Sequence, residues 1–188
     1  MPLSLPPSAV SYPDWLSELV PWTEILKDSG ARMALVHKLA LANVEHGGGP
    51  FAALVCTASG QVVSVGTNRV VPNADSTAHA EIVAIRNAQQ ECATHDLSAR
   101  GLPALELYAS CSPCIQCFGA VWWSGIKAVY ASAAKEDAES VGFDEGPVSP
   151  ELWAEMKRHR GVTYVPNVSC GEEAHLPFKL FAKSGVMY

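Results

Sequence analysis

Two short stretches, "TAHAEIVAIRNA" and "SPCIQCFGA", hold residue types that could do chemistry together: His79 and Glu81 in the first, Cys114 and Cys117 in the second. Pro113 directly before Cys114 marks a place where a helix can begin without wasting a backbone donor. A C-x-x-C pair around a first helical turn puts two sulfurs on one side. The helix N-terminus favours the thiolate that zinc requires. Alone, the pair is also compatible with a thioredoxin-like redox couple or with two buried small hydrophobes. A third ligand separates these readings, and His79 supplies one. By itself a histidine here would be a capping or core residue; Glu81 two positions on and the cysteine pair one strand and one helix later give it weight. Three protein ligands leave the fourth tetrahedral position for water, the catalytic rather than the closed structural pattern. Zinc makes such a water acidic near neutrality, and Glu81 is placed to take its proton. The plain alternative for Glu81 is a solvated helix charge.

The elements that must position these groups follow from pattern. From Asp28, a plausible N-cap, Met33, Val36, Leu39, Ala40 and Val44 recur at helical spacing until the glycines 47 to 49. "FAALVCT" and "VVSVGT" flank "ASGQ", with Gly60 at the turn, and read as a hairpin. "STAHAEIVAIRNAQQ" reads as a helix capped by Ser76 or Thr77, with Ile82, Ile85 and Ala88 on one face. A strand "ALELYAS", a helix entered at Pro113, a strand "AVYAS" and a helix "AAKEDAESVG" come next, before a more polar C-terminal third. Alternation after an initial hairpin predicts a three-layer α/β domain on a mixed sheet. The first 27 residues, broken by five prolines, read as an extension with a short helix near "DWLSEL" that docks by Trp15, Leu16 or Trp22. Residues 28–188 read as the working domain.

Composition narrows the function classes. The 188 residues, 48% hydrophobic and 17% charged, suit a globular domain. A net charge of −6 gives no electrostatic reason to bind nucleic acid. The sequence "MPLSLPPSAVSYPDWL" lacks a basic region followed by an apolar one, and no apolar run reaches membrane-spanning length, so the expectation is a cytoplasmic protein. In a reducing compartment six cysteines argue for metal or redox chemistry before disulfides.

The H-x-E and P-C-x-x-C pair is the signature of zinc-dependent base deaminases. The sequence resembles the cytidine deaminase-like superfamily and, among its branches, the guanine deaminases. The likeness covers roughly residues 30–188 through "GGPFAALV", "GTNRVV", "TAHAE", "PCIQCFGAVWWS" and "VGFDEG". The resemblance implies a three-layer α/β/α sandwich with a mixed five-stranded sheet, a Zn2+ cofactor on His79, Cys114 and Cys117, and hydrolysis of guanine to xanthine and ammonia. By the same resemblance Glu81 shuttles protons and Glu145 of "GFDEG" approaches the base, with Asp144 a weaker candidate. Asn68 would hydrogen-bond the ring, Phe51 and Trp123 would sandwich it, and Ala80 would contact it. Read without the resemblance, Asn68 is a turn residue, "FDEG" an acidic turn, and Phe51 and Trp123 core aromatics. The end segment "HLPFKLFAKSGVMY" is too apolar for a free tail. The resemblance implies a homodimer in which it crosses to the partner and Tyr188 covers the neighbouring pocket. One departure is Ser112 where many members carry Glu, which bears on local hydrogen bonds and fine substrate choice. Guanosine, an aminotriazine or a pterin would obey the same mechanism. A tRNA adenosine deaminase shares both motifs but would carry basic surface. A non-catalytic zinc-stabilised interaction protein would want a fourth ligand.

Overall fold

A computed structural model describes residues 13–183. In chain order these form α1 (Leu16–Leu19), α2 (Ser29–Glu45), the strands β1 (Ala52–Thr57) and β2 (Val62–Thr67), then α3 (Val70–Asn73) and α4 (Ala80–Glu91). They continue through β3 (Leu105–Cys111), α5 (Ile115–Ser124), β4 (Ala128–Ala133), α6 (Lys135–Ser140), α7 (Pro150–Arg160), β5 (Thr163–Val165) and α8 (Glu172–Phe181). The strands make one sheet in the order β2-β1-β3-β4-β5. The β1–β2 and β1–β3 pairs are antiparallel, and β3–β4 and β4–β5 are parallel. The mixed five-stranded sheet expected from the sequence is therefore present.

β1 is buried on both faces, so its alternate residues enter different layers. Ala53 and Val55 join Leu107, Val129, Ala84, Phe118 and Trp153 beneath α4, α5 and α7. Leu54 and Cys56 join Met33, Val36 and Leu39 beneath α2. This makes the three layers. The α2 helix starts where expected, the Asp28 carboxylate accepting from the Ala31 N–H at 2.8 Å. A buried Arg32 ties it to the sheet: Nη1 donates to Glu106 Oε2 (2.9 Å) and Tyr108 Oη (3.0 Å), and Nε and Nη2 donate to the carbonyls of Leu26 and Ala58. Residues 13–27 pack on the domain. Leu16 and Val20 are buried in the α2 layer, each contributing about 1.5–3 kcal/mol by area. Trp15 stacks on His46, and Ile25 bridges to Gln61 beside the hairpin.

One expectation needs correction. Neither Ser76 nor Thr77 caps α4; His79 occupies that position in extended conformation, with no side-chain cap, which leaves its imidazole available for other work. Among the described residues of the C-terminal segment, α8 packs on the domain. In α8, Phe178 and Phe181 are buried with Phe143, Ala133 and Ala138, because an apolar face of that size is satisfied at once by the aromatic cluster next to it. Tyr188 lies outside the described residues.

Candidate metal centre and base pocket

Both motifs sit at helix starts facing the same end of the sheet. His79 is the N-cap of α4 and Cys114 the N-cap of α5, and neither side chain caps its own helix. Cys117 follows at the end of the first turn of α5. His79 Nδ1 lies 3.5 Å from Cys114 Sγ and 3.7 Å from Cys117 Sγ, and all three donor atoms lie within 4.8 Å of one another. Tetrahedral zinc, with about 2.3 Å to sulfur and 2.0–2.1 Å to nitrogen, separates an N and an S ligand by about 3.5 Å. The donor set and its spacing therefore fit a zinc ion, and two positive helix ends help carry the thiolate charge.

Close packing of α4 against the sheet sets the position of His79. A Cβ on Gly66 of β2 would collide with the Ala80 carbonyl oxygen and the Ala84 nitrogen, so only glycine lets the start of α4 settle there. On the other side, the loop after α6 is tied to α5: the Ile115 N–H, first of that helix, donates to the Glu145 carbonyl at 3.0 Å. Gly146 follows at φ 70°, and a side chain there would strike Ile115. Asp144 Oδ1 accepts from the Gly146 N–H at 3.0 Å and closes the turn. Glu145 is buried and Asp144 exposed, which separates two acids that sequence reasoning could only rank.

A cavity of about 320 Å³ is lined by residues that include Phe51, Asn68, His79, Glu81, Cys114, Phe143 and Glu145, together with Ser112 and Asp144. Phe51 meets Phe143 edge-on at 4.9 Å and Phe178 at 5.5 Å. Asn68 is buried; its Oδ1 accepts from the Val70 N–H at 3.2 Å, and its backbone carbonyl accepts from Asn43. That fixes the orientation of the amide, with the NH2 as the group available to a ligand. Two expected contacts do not line this cavity. The Ala80 methyl is fully buried in the core under α4. Trp123 lies six residues past Cys117, a helical rotation that carries it away from the metal side. It is 74% exposed, with the Arg160 guanidinium 4.7 Å from its ring centre. Phe143 was not singled out from the sequence, although it stands inside "VGFDEG" and takes the second aromatic wall.

Burial dominates the electrostatics of the two carboxyls. It pushes the Glu81 carboxyl up to about 7, helped by the charge of Cys114 and opposed by His79. Burial, then the charges of Cys114 and Glu81, push Glu145 to about 8. The Cys117 hydrogen bond holds Cys114 down at about 4, against burial and with help from His79. Cys117, which gives that hydrogen bond, is correspondingly raised. Burial alone would lower His79, but the Cys114 hydrogen bond and the negative charges of Glu81, Cys114 and Glu145 raise it. Cys111 is a buried thiol pushed well above the usual range by desolvation; it donates to the Ala134 carbonyl and stays outside the donor set. Ser112 bonds Tyr164 Oη at 2.8 Å and the Ala133 carbonyl at 3.3 Å, so its hydroxyl ties the α5 entry to β4 and β5.

Comparison with known proteins agrees with this geometry. The model of the cytidine and deoxycytidylate deaminase zinc-binding region matches residues 27–133. A guanine deaminase of Bacillus subtilis is 41% identical over 115 residues, covering 61% of this chain and 70% of that protein. A solved guanine deaminase from Nitrosomonas europaea superposes with a TM-score of 0.88 at 40% identity, covering 95% of this chain and 100% of that one. A structure of NE0047 in complex with 2,6-diaminopurine gives a TM-score of 0.89 at 41% identity, over 96% and 95% of the two chains. With its HAE and PCIQC blocks at two helix starts and a fold shared across nearly its whole described length, the chain belongs to the zinc-dependent cytidine and deoxycytidylate deaminase family.

Proposed function

We propose that this protein removes the amino group of guanine by hydrolysis, yielding xanthine and ammonia, with residues 28–188 as the deaminase domain. The observation that carries the reading is the placement of two buried carboxyls, Glu81 and Glu145, in one small aromatic-walled cavity that opens on the His79, Cys114 and Cys117 donors. Guanine deaminases among the similar proteins point to the same base. Zinc on those three residues supplies the Lewis acidity that activates a water for attack on an amidine carbon. Phe51 and Phe143, packed edge-on against each other, give the cavity an aromatic side on which a planar base can rest, and the Asn68 NH2 donates to a ring or carbonyl acceptor. Glu81 takes a proton from the attacking water and delivers it to the ring nitrogen beside the reacting carbon. Glu145, held neutral by burial, donates to the amino nitrogen as the C–N bond breaks and ammonia leaves, and the hydroxyl proton of the adduct returns to Glu145 as that oxygen becomes the product carbonyl. A cavity of about 320 Å³ is at the low end of ligand pockets, roughly 300–1,000 Å³, and suits a base better than a base with its ribose.

A homodimer belongs to the same reading. Trp123 and Ile115 leave apolar surface exposed on α5, where a second copy would be seated. Tyr188 of that copy would then close the cavity. The cytoplasm remains the expected compartment; no helix among the described residues is long and apolar enough to cross a membrane. The test is kcat/KM for ammonia release from guanine, guanosine, an aminotriazine, a pterin, cytosine and a tRNA anticodon stem-loop. Guanine should lead by at least tenfold; a lead by any other member replaces it as the substrate.

A further inference from the structure

Away from the base pocket, Asp137, Cys170 and His175 bring their donor atoms within 4.8 Å of one another. They come from α6, from the loop after β5 and from α8. We propose that these three residues bind a second divalent ion of the zinc type at the junction of α6 and α8.

The hydrogen bonds already present favour a cation there. His175 Nδ1 lies 3.0 Å from the Gly171 carbonyl, a contact that requires the proton on Nδ1. In the neutral ring Nε2 is then a bare lone pair, and it faces Asp137 Oδ2, also an acceptor, at 3.4 Å. Two acceptors at that distance repel unless a positive charge lies between them. A histidine whose other nitrogen donates to a backbone carbonyl is the usual orientation of a metal ligand. Tetrahedral zinc would separate its N and O ligands by about 3.4 Å, the spacing observed. A second proton on His175 would also relieve the repulsion, but an ion pair has no use for the third donor. The Cys170 sulfur completes a set of one N, one O and one S ligand, and a thiolate with an imidazole selects zinc-like ions over magnesium or calcium.

The scaffold holds the donors independently of the ion. Asp137 Oδ2 accepts from the Ala134 N–H at 2.8 Å, fixing the carboxylate at the start of α6. The Cys170 loop is tied down by the Val168 N–H to the Ala131 carbonyl (2.9 Å) and by the Gly171 N–H to the Ser169 carbonyl (2.9 Å). His175 and Asp137 are about one-third exposed and Cys170 is exposed, so solvent supplies the remaining position. The consequence reaches the base pocket: α6 leads into Phe143 and Glu145, while α8 contributes Phe178 and Phe181 to the cluster behind them. A bound ion would clamp the two elements that lead into and back the Phe143–Glu145 side of the cavity.

The test titrates zinc calorimetrically, in a thiol-free reducing buffer, into protein that already holds one equivalent. A second equivalent should bind the wild type and raise the thermal midpoint by several degrees. It should vanish in the double variant Cys170→Ser with His175→Gln, which keeps its first equivalent and so reports its own folding. Asp137→Asn, whose amide oxygen can still accept from Ala134, should weaken the second site at least tenfold. If the wild type takes up only one equivalent, Asp137 and His175 are an ordinary ion pair and the proposal fails. If the second equivalent persists in the double variant, the ion binds elsewhere and the assignment fails as well.

Discussion

Replacing Glu81 with Gln tests how the cavity moves protons. The side chain is buried, at 7% exposed, in the wall of the cavity. The amide keeps the size of the carboxylate and an acceptor oxygen, but it cannot carry a proton. Acid–base assistance by one group is worth about 10²–10⁴ per transfer. Glu81 is assigned two transfers, at the water and at the ring nitrogen, so kcat should fall by at least about 10³, or about 4 kcal/mol of barrier. Stability should not fall with it. Burial already disfavours the charged carboxylate, so a neutral amide adds no penalty to folding. Ammonia release, metal analysis and thermal unfolding on one preparation make the assay. The reasoning is refuted by turnover within tenfold of wild type, or by loss of zinc in parallel with loss of activity, which would make Glu81 a structural support of the donors.

Cys114→Ser should lose the active-site zinc, whereas Cys111→Ser should keep it; metal analysis with the opposite pattern would reassign the ligands. Gly66→Ala should cost about 1–3 kcal/mol by overpacking, lowering the thermal midpoint by roughly 2–12 °C. It should also weaken zinc binding, because the collision is with the residue after His79; an unchanged midpoint and affinity would show that α4 can shift freely. Burial lowers the pKa of His37, whose Nε2 lies 2.8 Å from Ser132 Oγ, with Glu173 opposing and His175 adding to the shift. A depressed histidine contributes stability above its unfolded value near 6.5, and that stability is lost as pH falls through the folded value. Thermal unfolding from pH 8 to pH 5 should therefore drop less steeply in His37→Gln than in wild type; parallel slopes would exclude His37 as the source.

The donors and the sheet around them were legible because their signals are local. A helix start needs a change of pattern and a proline, a hairpin needs two β-branched runs and a glycine, and the spacing of H-x-E and P-C-x-x-C follows helical geometry. Other parts depend on contacts distant in sequence. Nothing local tells that Phe143, rather than Trp123, forms the second wall: both are aromatic, and only the rotation along α5 and the turn closed by Asp144 separate them. Gly66 looks like an ordinary strand glycine until α4 is laid on it. The Arg32 network joins residues 74 and 76 positions apart, so no window of sequence contains it. β5 has three residues, too few for alternation to register, yet it supplies the Tyr164 hydroxyl that Ser112 bonds. The α7 helix did leave a readable signal, Ser149 as N-cap before Pro150 with Gly161 beyond the end, within a stretch otherwise read only as polar.

The most direct test of the central claim is a stoichiometric one. Protein stripped of metal by a chelator and then given one equivalent of zinc is incubated with guanine, and xanthine and ammonia are measured together. The account predicts one xanthine and one ammonia for each guanine consumed, no turnover before zinc is restored, and none above the Glu81→Gln background in the metal-free protein. Full turnover by the stripped protein, or guanine left unconsumed by the reconstituted one, would contradict it.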